Sequence, residues 1–157
     1  MRPLILLAAL LSIAAAPAPR STPVALAAQP GTPLEAAARQ LVAHDLDDAR
    51  RAGETPLVLI GSAALGPASD RPALFVQLQS ARECGSAGCS TSVYLWQNGA
   101  WKQVLDGVSS RLAVSSSKTR GMADLVADKD RFTWNGRIYA DTRPAPQVDL
   151  RPRTRRH

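Results

Sequence analysis

The fold is decided by residues 93–104, VYLWQNGAWKQV, which predict a β-hairpin. Apolar and aromatic residues flank Asn98-Gly99 on both sides, and this dipeptide favours a two-residue type I′ turn because both residues tolerate positive φ. Counting outward from this turn places Trp96 opposite Trp101 in a non-hydrogen-bonded pair, where side chains approach most closely. The sequence therefore predicts a sheet built from tight hairpins.

A second hairpin is predicted over residues 131–140, RFTWNGRIYA, across Asn135-Gly136. A two-residue turn would give four side chains a shared face, on which a guanidinium can stack on an indole and a peptide or sugar can bind. The alternative is that the aromatic residues form core, because a small domain needs its aromatic area for stability. The candidate binding face consists of Phe132, Trp134, Arg137 and Tyr139.

Upstream of the hairpins, the sequence predicts one helix and several strands. Thr32 as N-cap, Pro33 at the first helical position and Glu35 three residues after the cap form a capping box. Leu34, Ala38, Leu41 and Val42 form an apolar stripe at helical spacing. Asp45 would fall in the middle of this stripe, so the helix should bend or end near His44. Further strands are predicted at 56–60, 73–79, 110–115 and 122–127. The expected fold class is α+β, with one N-terminal helix packed on a small, mainly antiparallel, meandering sheet of about seven strands.

The beginning of the chain has the pattern of a secretory signal peptide. Arg2 precedes the apolar run 4–16, which is shorter than the roughly 20 apolar residues of a membrane span and typical of a signal peptide. Cleavage after Ala27 avoids the proline that would follow a cut after Ala16 or Ala18. The product is expected to be periplasmic or secreted, and not membrane-spanning after processing.

These observations divide the chain into four parts. The expected organisation is a signal peptide at 1–27, a flexible leader at 28–31, a single α+β domain at 32–142 and a disordered Pro/Arg-rich tail at 143–157.

The formal charge of +6 is concentrated at the two ends of the chain. Without Arg2, Arg20 and the four arginines of the last eight residues, thirteen basic residues balance thirteen acidic residues. This balance argues against specific nucleic-acid binding, which places basic charge on a folded face. The tail could instead bind an anionic surface by charge alone. The candidate basic tail residues are Arg151, Arg153, Arg155 and Arg156.

Two cysteines, Cys84 and Cys89, enclose the sequence GSAG. In an oxidising compartment such a pair is expected to form a disulfide, and the two glycines let the backbone turn sharply enough. The alternatives are thiol redox chemistry, for which the spacing differs from Cys-x-x-Cys, and a zinc site, for which further ligands are missing. We expect a structural disulfide and no metal or other cofactor.

No set of residues in the sequence indicates catalysis. His44 is the one histidine of the expected domain, and no Gly-x-Ser-x-Gly elbow is present. The acidic run 45–48 is either a calcium site or, more simply, a solvated helix end. Asp106, Asp124 and Asp128 could form a carboxylate pair only if the fold brings them together.

These absences favour an exported, non-enzymatic accessory or binding domain for an unknown macromolecular partner in the bacterial envelope. The alternatives are a small periplasmic enzyme, either a hydrolase or a thiol-redox protein, and a binder of anionic surfaces through the basic tail.

The sequence also resembles a loose group of short exported bacterial proteins of uncharacterised function. The resemblance covers about residues 72–142 and is carried by Cys84–Cys89, Gly99–Trp101, Gly121–Leu125 and Trp134–Tyr139. It implies export, a disulfide and a small β domain, and it implies no activity.

Overall fold

The computed structural model describes residues 19–143. The predicted signal run at 4–16, the tail beyond Arg143 and the four candidate tail arginines lie outside the described residues. The described part contains two helices and eleven strands. The helices are α1 (Pro33–Leu41) and α2 (Ala43–Arg51); the strands are β1 (Ser21–Pro23), β2 (Leu57–Ala63), β3 (Ala73–Gln79), β4 (Cys84–Gly85), β5 (Gly88–Cys89), β6 (Thr91–Gln97), β7 (Ala100–Val108), β8 (Leu112–Thr119), β9 (Met122–Ala127), β10 (Asp130–Trp134) and β11 (Tyr139–Asp141).

The strands form two large antiparallel sheets and one small one. The five-stranded sheet has the order β1-β8-β9-β10-β11, the four-stranded sheet has the order β2-β3-β6-β7, and β4 pairs with β5. The α+β class and the antiparallel pairing are confirmed. The prediction of one helix and about seven strands in a single meandering sheet is wrong, because the strands divide between sheets that face each other across a core.

Two apolar clusters organise these layers. One cluster lies between the two large sheets and includes Phe75, Leu95 and Leu125. The other lies between the four-stranded sheet and the helices and includes Ala38 and Leu74. The four-stranded sheet is therefore the middle layer. Its strand β3 was expected to be half-buried, but alternate side chains enter different clusters and both faces are covered.

The prediction that Thr32 is the N-cap of the first helix is confirmed. Thr32 Oγ1 accepts a hydrogen bond from the backbone N–H of Glu35 at 3.2 Å. The Glu35 carboxylate accepts from the N–H of Gly31 at 2.9 Å, one residue before the expected position. The chain breaks at Val42, close to the break expected near His44, and begins a second helix that was not predicted. This break leaves Asp45 exposed while Leu46 is buried.

The first Asn-Gly hairpin has the predicted register. Asn98 and Gly99 have φ angles of 53° and 77°, and Trp96 lies opposite Trp101. Their rings meet edge to face with centroids 5.2 Å apart. Local turn chemistry was sufficient here because both central residues adopt the conformation that the type I′ turn requires.

The second hairpin has a different register, and the candidate binding face is therefore not formed. Trp134 pairs with Tyr139 rather than with Arg137, so the connecting loop has four residues. The Asn135 side chain accepts hydrogen bonds from the N–H groups of Arg137 (2.8 Å) and Ile138 (2.9 Å), which closes this wider loop.

The aromatic residues of this hairpin consequently belong to the core. Trp134 and Tyr139 are 4% and 3% exposed and lie between the two large sheets. Phe132 packs against the same cluster. Arg137 lies on the exposed loop, away from the paired positions. The alternative interpretation of these aromatics as core is the one that the structure supports.

Residues 20–27, here called the strap, connect the two large sheets. Within the strap, β1 pairs with β8 in the five-stranded sheet. At its far end Ala27 exchanges two backbone hydrogen bonds, of 3.0 and 2.9 Å, with Ile60 of the four-stranded sheet. Val24 and Leu26 pack against the core between the sheets. Cleavage after Ala27 would remove all of these contacts.

The residues that follow the strap are also part of the fold. Residues 28–31, expected to be a flexible leader, form a turn in which the Gln29 carbonyl accepts from the Thr32 hydroxyl at 2.9 Å. This turn leads directly into α1.

Candidate functional site

The two sides of the sandwich differ in how the sheets meet. On one side, here called the closed side, β7 and β11 are in contact. On the other, the open side, the strap crosses between the two sheets. A cavity lies on each side of the strap, with volumes of about 530 and 490 Å³. The larger cavity, here called the cleft, has the more varied side-chain chemistry.

The cleft has apolar walls. Val24 and Leu26 of the strap form one boundary, and Leu59, Phe75 and Leu112 from the two sheets line its depth. These residues were brought together by pairing between distant segments, since the N–H of Val24 donates to the carbonyl of Leu112 at 3.0 Å. Such walls favour an apolar portion of a ligand.

The polar part of the cleft is fixed by a short hydrogen-bond chain. Gln77 Nε2 donates to Thr91 Oγ1 at 3.0 Å and to the carbonyl of Cys89 at 3.2 Å. Gln79 Nε2 in turn donates to Gln77 Oε1 at 3.1 Å. The Gln77 amide is therefore held in one orientation, and it ties the floor of the cleft to the disulfide segment.

The disulfide hairpin forms one end of the cleft. Cys84 and Cys89 are bonded and lie opposite each other in the β4–β5 pair, so the predicted disulfide is present. Gly88 packs against Ser109 so closely that a Cβ atom at position 88 would lie 2.9 Å from the Ser109 carbonyl oxygen. The hairpin and the segment that enters β8 therefore meet and close this end.

The charge of the cleft comes from one side chain. Arg111 lies at the cleft and is exposed. It forms no ion pair within residues 19–143, and none of the described lining residues is an Asp or Glu. An unneutralised guanidinium beside apolar walls favours a ligand that carries both an apolar part and an anionic group.

The acidic candidates lie elsewhere and are paired locally. Asp47 and Asp48 form ion pairs with Arg50 and Arg51 on the exposed surface of α2. Among the described residues, no group of three or more His, Cys, Asp or Glu is arranged to hold a metal ion. The structure therefore supports the interpretation of this run as a solvated helix end.

Asp106 and Asp124, two of the candidate carboxylates, do not form a pair either. Asp106 lies on β7 and bonds to Ser92 and Gln103. Asp124 lies on β9 in the other sheet, where it is buried and bonded to Arg131. Its second oxygen has no hydrogen-bond partner among the described residues, but the paired guanidinium accounts for the burial of the charge.

The strap, Gln77, Thr91 and Arg111 were not predicted from the sequence to form one site. One local signal was present, because Gly61 directly follows the predicted apolar strand at 56–60 and lies inside β2, where a glycine marks a close backbone approach. A Cβ atom at position 61 would lie 2.5 Å from the carbonyl oxygen of Ala25. The glycine thus admits the strap, although nothing local identifies the strap as its neighbour.

Comparison with protein-family models, with curated proteins and with solved structures finds no match to this chain. Within the described residues, none of the helices combines the length and apolar character needed to cross a membrane.

Proposed function

We propose that the chain is an exported, non-enzymatic binding domain that takes part of an envelope macromolecule into the cleft. The observation that carries this proposal is the cleft itself. Its volume of about 530 Å³ lies within the range of roughly 300–1,000 Å³ typical of ligand sites. Its boundaries are held by the strap, the disulfide hairpin and the Gln77 hydrogen bonds, so the site exists before a ligand arrives.

Export is supported by the signal-like run at 4–16, by the disulfide and by the resemblance to exported proteins. The strap changes the expected processing site, because the mature protein needs residues 20–27 to join its sheets. We therefore place cleavage before Arg20 instead of after Ala27. The mass of the mature protein recovered from the periplasm or medium tests this. A mature chain that begins at Ala28 would contradict it.

The absence of catalysis is supported by the chemistry of the lining residues. The hydroxyls of Thr91, Ser109 and Ser110 line the cleft, but no described lining residue is a histidine or a carboxylate that could act as their general base. Both cysteines of the chain are joined in the disulfide. Rapid alkylation of Cys84 and Cys89 in freshly exported protein would instead support the thiol-redox alternative.

A comparison of two tryptophan variants tests the binding site. Ser110→Trp places a bulky ring in the cleft, whereas Ala100→Trp places the same ring at an exposed position beside the first Asn-Gly turn. Immobilised wild-type protein and the Ala100→Trp variant should retain the same component of an envelope extract, and Ser110→Trp should lose it. Equal retention by all three, or no retention by the wild type, would contradict the proposal.

Deleting residues 144–157 separates this proposal from the anionic-surface alternative. Retention through the cleft should persist without the tail. Retention that disappears with the tail and weakens steeply with salt would favour Arg151, Arg153, Arg155 and Arg156 as the binding residues.

A further inference from the structure

We propose that the cleft binds a free fatty acid, whose aliphatic chain lies against the apolar walls and whose carboxylate pairs with Arg111, and that this ligand excludes the macromolecular partner. The assignment rests on the proposed function, because it names a small ligand that regulates the same site. Three features carry it: the charge of the cleft, the half-buried side chains along it, and the hydrogen bonds that already occupy the polar groups around it.

The cleft carries a single charge. Arg111 is exposed and is the one charged residue among the described residues that line the cleft. Its guanidinium forms no ion pair with any side chain of residues 19–143. One guanidinium matches one carboxylate, to which it donates two parallel hydrogen bonds. The charge of the cleft therefore favours a monocarboxylate over a ligand with several negative groups.

The apolar side chains beside this charge are partly open to a ligand. Val24 and Leu26 of the strap and Leu59 of β2 line the cleft and are half-buried, so a portion of each side chain is left for a ligand to cover. Phe75 and Leu112 are buried and form the base beneath them. An aliphatic chain follows such walls, and each methylene that it buries strengthens binding roughly fourfold.

The main-chain groups around the cleft are used within the protein. Val24 donates its N–H to the carbonyl of Leu112 at 3.0 Å, and Ala27 exchanges two hydrogen bonds with Ile60. The Gln29 side-chain amide also donates to the Ile60 carbonyl, at 3.4 Å. A peptide in the cleft would therefore bury its own N–H and C=O groups beside groups that already have partners, which costs free energy.

The one side-chain amide of the cleft is occupied in the same way. Gln77 Nε2 donates to Thr91 Oγ1 and to the Cys89 carbonyl, and Gln77 Oε1 accepts from Gln79. An aliphatic chain needs no hydrogen-bond partner along its length, so these satisfied groups do not oppose its entry. The cleft thus favours a ligand whose only polar group is the carboxylate at Arg111.

The first test compares octanoate with octanamide, its uncharged counterpart, by isothermal titration calorimetry of the full mature protein at pH 7. We expect octanoate to bind at least tenfold more tightly, because only the acid carries a charge that pairs with Arg111. Arg111→Gln should reduce the affinity for octanoate to that for octanamide, and Arg111→Lys should restore part of the difference. Equal affinities of the wild type for the acid and the amide would overturn the inference.

Arg137→Gln is the matched control for this comparison. Arg137 is an exposed arginine on the loop between β10 and β11, outside the described lining of the cleft. Its replacement removes the same charge from the protein and should change neither affinity. An equal loss of octanoate binding in Arg137→Gln and Arg111→Gln would show that net charge, and not the cleft, attracts the acid.

A series of butanoate, hexanoate and octanoate tests the apolar walls. The affinity of the wild type should rise at least tenfold from butanoate to octanoate, because the added methylenes are buried. Leu59→Gln should flatten this dependence. Leu57→Gln should preserve it, since Leu57 lies two residues away on β2, is 44% exposed and is not among the described lining residues. Equal affinities along the wild-type series would overturn the inference whatever the variants do.

The dipeptide acetyl-Val-Val, with a free terminal carboxylate, tests the choice of an aliphatic chain. It carries the same charge as octanoate and two apolar side chains, but also main-chain groups that would lose water without gaining partners. We expect it to bind at least tenfold more weakly than octanoate. Equal or tighter binding of the dipeptide would overturn the assignment of a fatty acid and favour a peptide ligand.

Competition tests the regulatory part of the inference. Octanoate should release the component that the immobilised protein retains from envelope extract, whereas octanamide at the same concentration should release much less. If octanoate fails to bind or to release the component while Ser110→Trp still abolishes retention, the cleft is the binding site and the fatty-acid inference is wrong. If octanoate binds but the wild type retains no component, the macromolecular partner is wrong. If neither is observed, both proposals are wrong.

Discussion

The closed and open sides of the sandwich are built in different ways. The closed side consists of strands from consecutive hairpins, with Trp134 and Tyr139 packed between the sheets where β7 meets β11. The open side depends on the strap, whose Arg20 carbonyl accepts from the N–H of Ser116, a residue 96 positions away. The first is stabilised by burial of large side chains, and the second leaves space between the sheets. The difference teaches that the scaffold and the proposed binding site use separate parts of the molecule.

The largest effect is expected from removing the strap. A chain that begins at Ala28 loses β1 and the burial of Val24 and Leu26. At about 1.5–3 kcal/mol for each fully buried aliphatic side chain, the free energy of unfolding should fall by up to roughly 3–6 kcal/mol relative to a chain that begins at Pro19. Urea denaturation of the two proteins measures this, and equal midpoints would show that the strap is dispensable.

The next largest effect is expected on the closed side, where two Trp→Ala variants should differ in their loss of stability. Trp134→Ala removes a buried indole and should cost about 3–5 kcal/mol. Trp101→Ala, in the first hairpin, should cost clearly less because this ring is only partly buried. Thermal and urea unfolding of both variants would reveal the difference. A larger loss for Trp101→Ala would mean that the second hairpin is not part of the core.

A smaller effect is expected from the disulfide. Replacing Cys84 and Cys89 by serine removes the constraint on a short loop, worth about 2 kcal/mol in the chain-entropy treatment. Because this hairpin closes one end of the cleft, ligand retention should decline more than this stability loss alone explains. Unfolding and retention assays on the double variant check both effects. Unchanged retention would show that the hairpin is not part of the site.

The smallest effect concerns the turn between the strap and α1. Hydrogen bonds from Arg39 and from the N–H of Gly31 lower the pKa of Glu35 below its ordinary value. A carboxyl group whose pKa is lowered by folding contributes stability above its unfolded pKa and loses it as the pH falls through the folded value.

We therefore expect acid to remove a small part of the stability of the wild type, in the range below the ordinary pKa of glutamate. The Glu35→Gln variant should lack this part of the pH dependence. Denaturant unfolding between pH 7 and pH 3 gives the comparison, and identical pH profiles would contradict the assignment.

The closed side was predictable in part, because the sequence information for its hairpins is local. The Asn98-Gly99 dipeptide specified the two-residue turn, and counting outward from that turn placed Trp96 opposite Trp101. The same dipeptide at Asn135-Gly136 gave the wrong register, because the Asn135 side chain bonds to two backbone N–H groups and stabilises a four-residue loop. The Asn-Gly dipeptide therefore predicted that a hairpin forms, but the hydrogen bonds of the Asn135 side chain decided how many residues the connecting loop has.

The open side was not predictable for a physical reason. The strap, RSTPVALA, has no alternation of apolar and polar residues that would predict a strand, so its pairing with β8 and Ile60 is fixed by distant neighbours. Because the strap follows closely after the signal-like run, the sequence also favoured a cleavage site after Ala27, which would remove the strap. The cleft depends on these long-range contacts, and Gln77, Thr91 and Arg111 become a site only when the strap is in place.

Hydrogen exchange of the full mature protein, with and without the component retained from envelope extract, tests the central claim most directly. We predict that binding slows exchange in the strap, at 57–59 and at 109–112, and leaves exchange in β10 and β11 unchanged. Protection confined to β10 and β11 would contradict the assignment of binding to the open side.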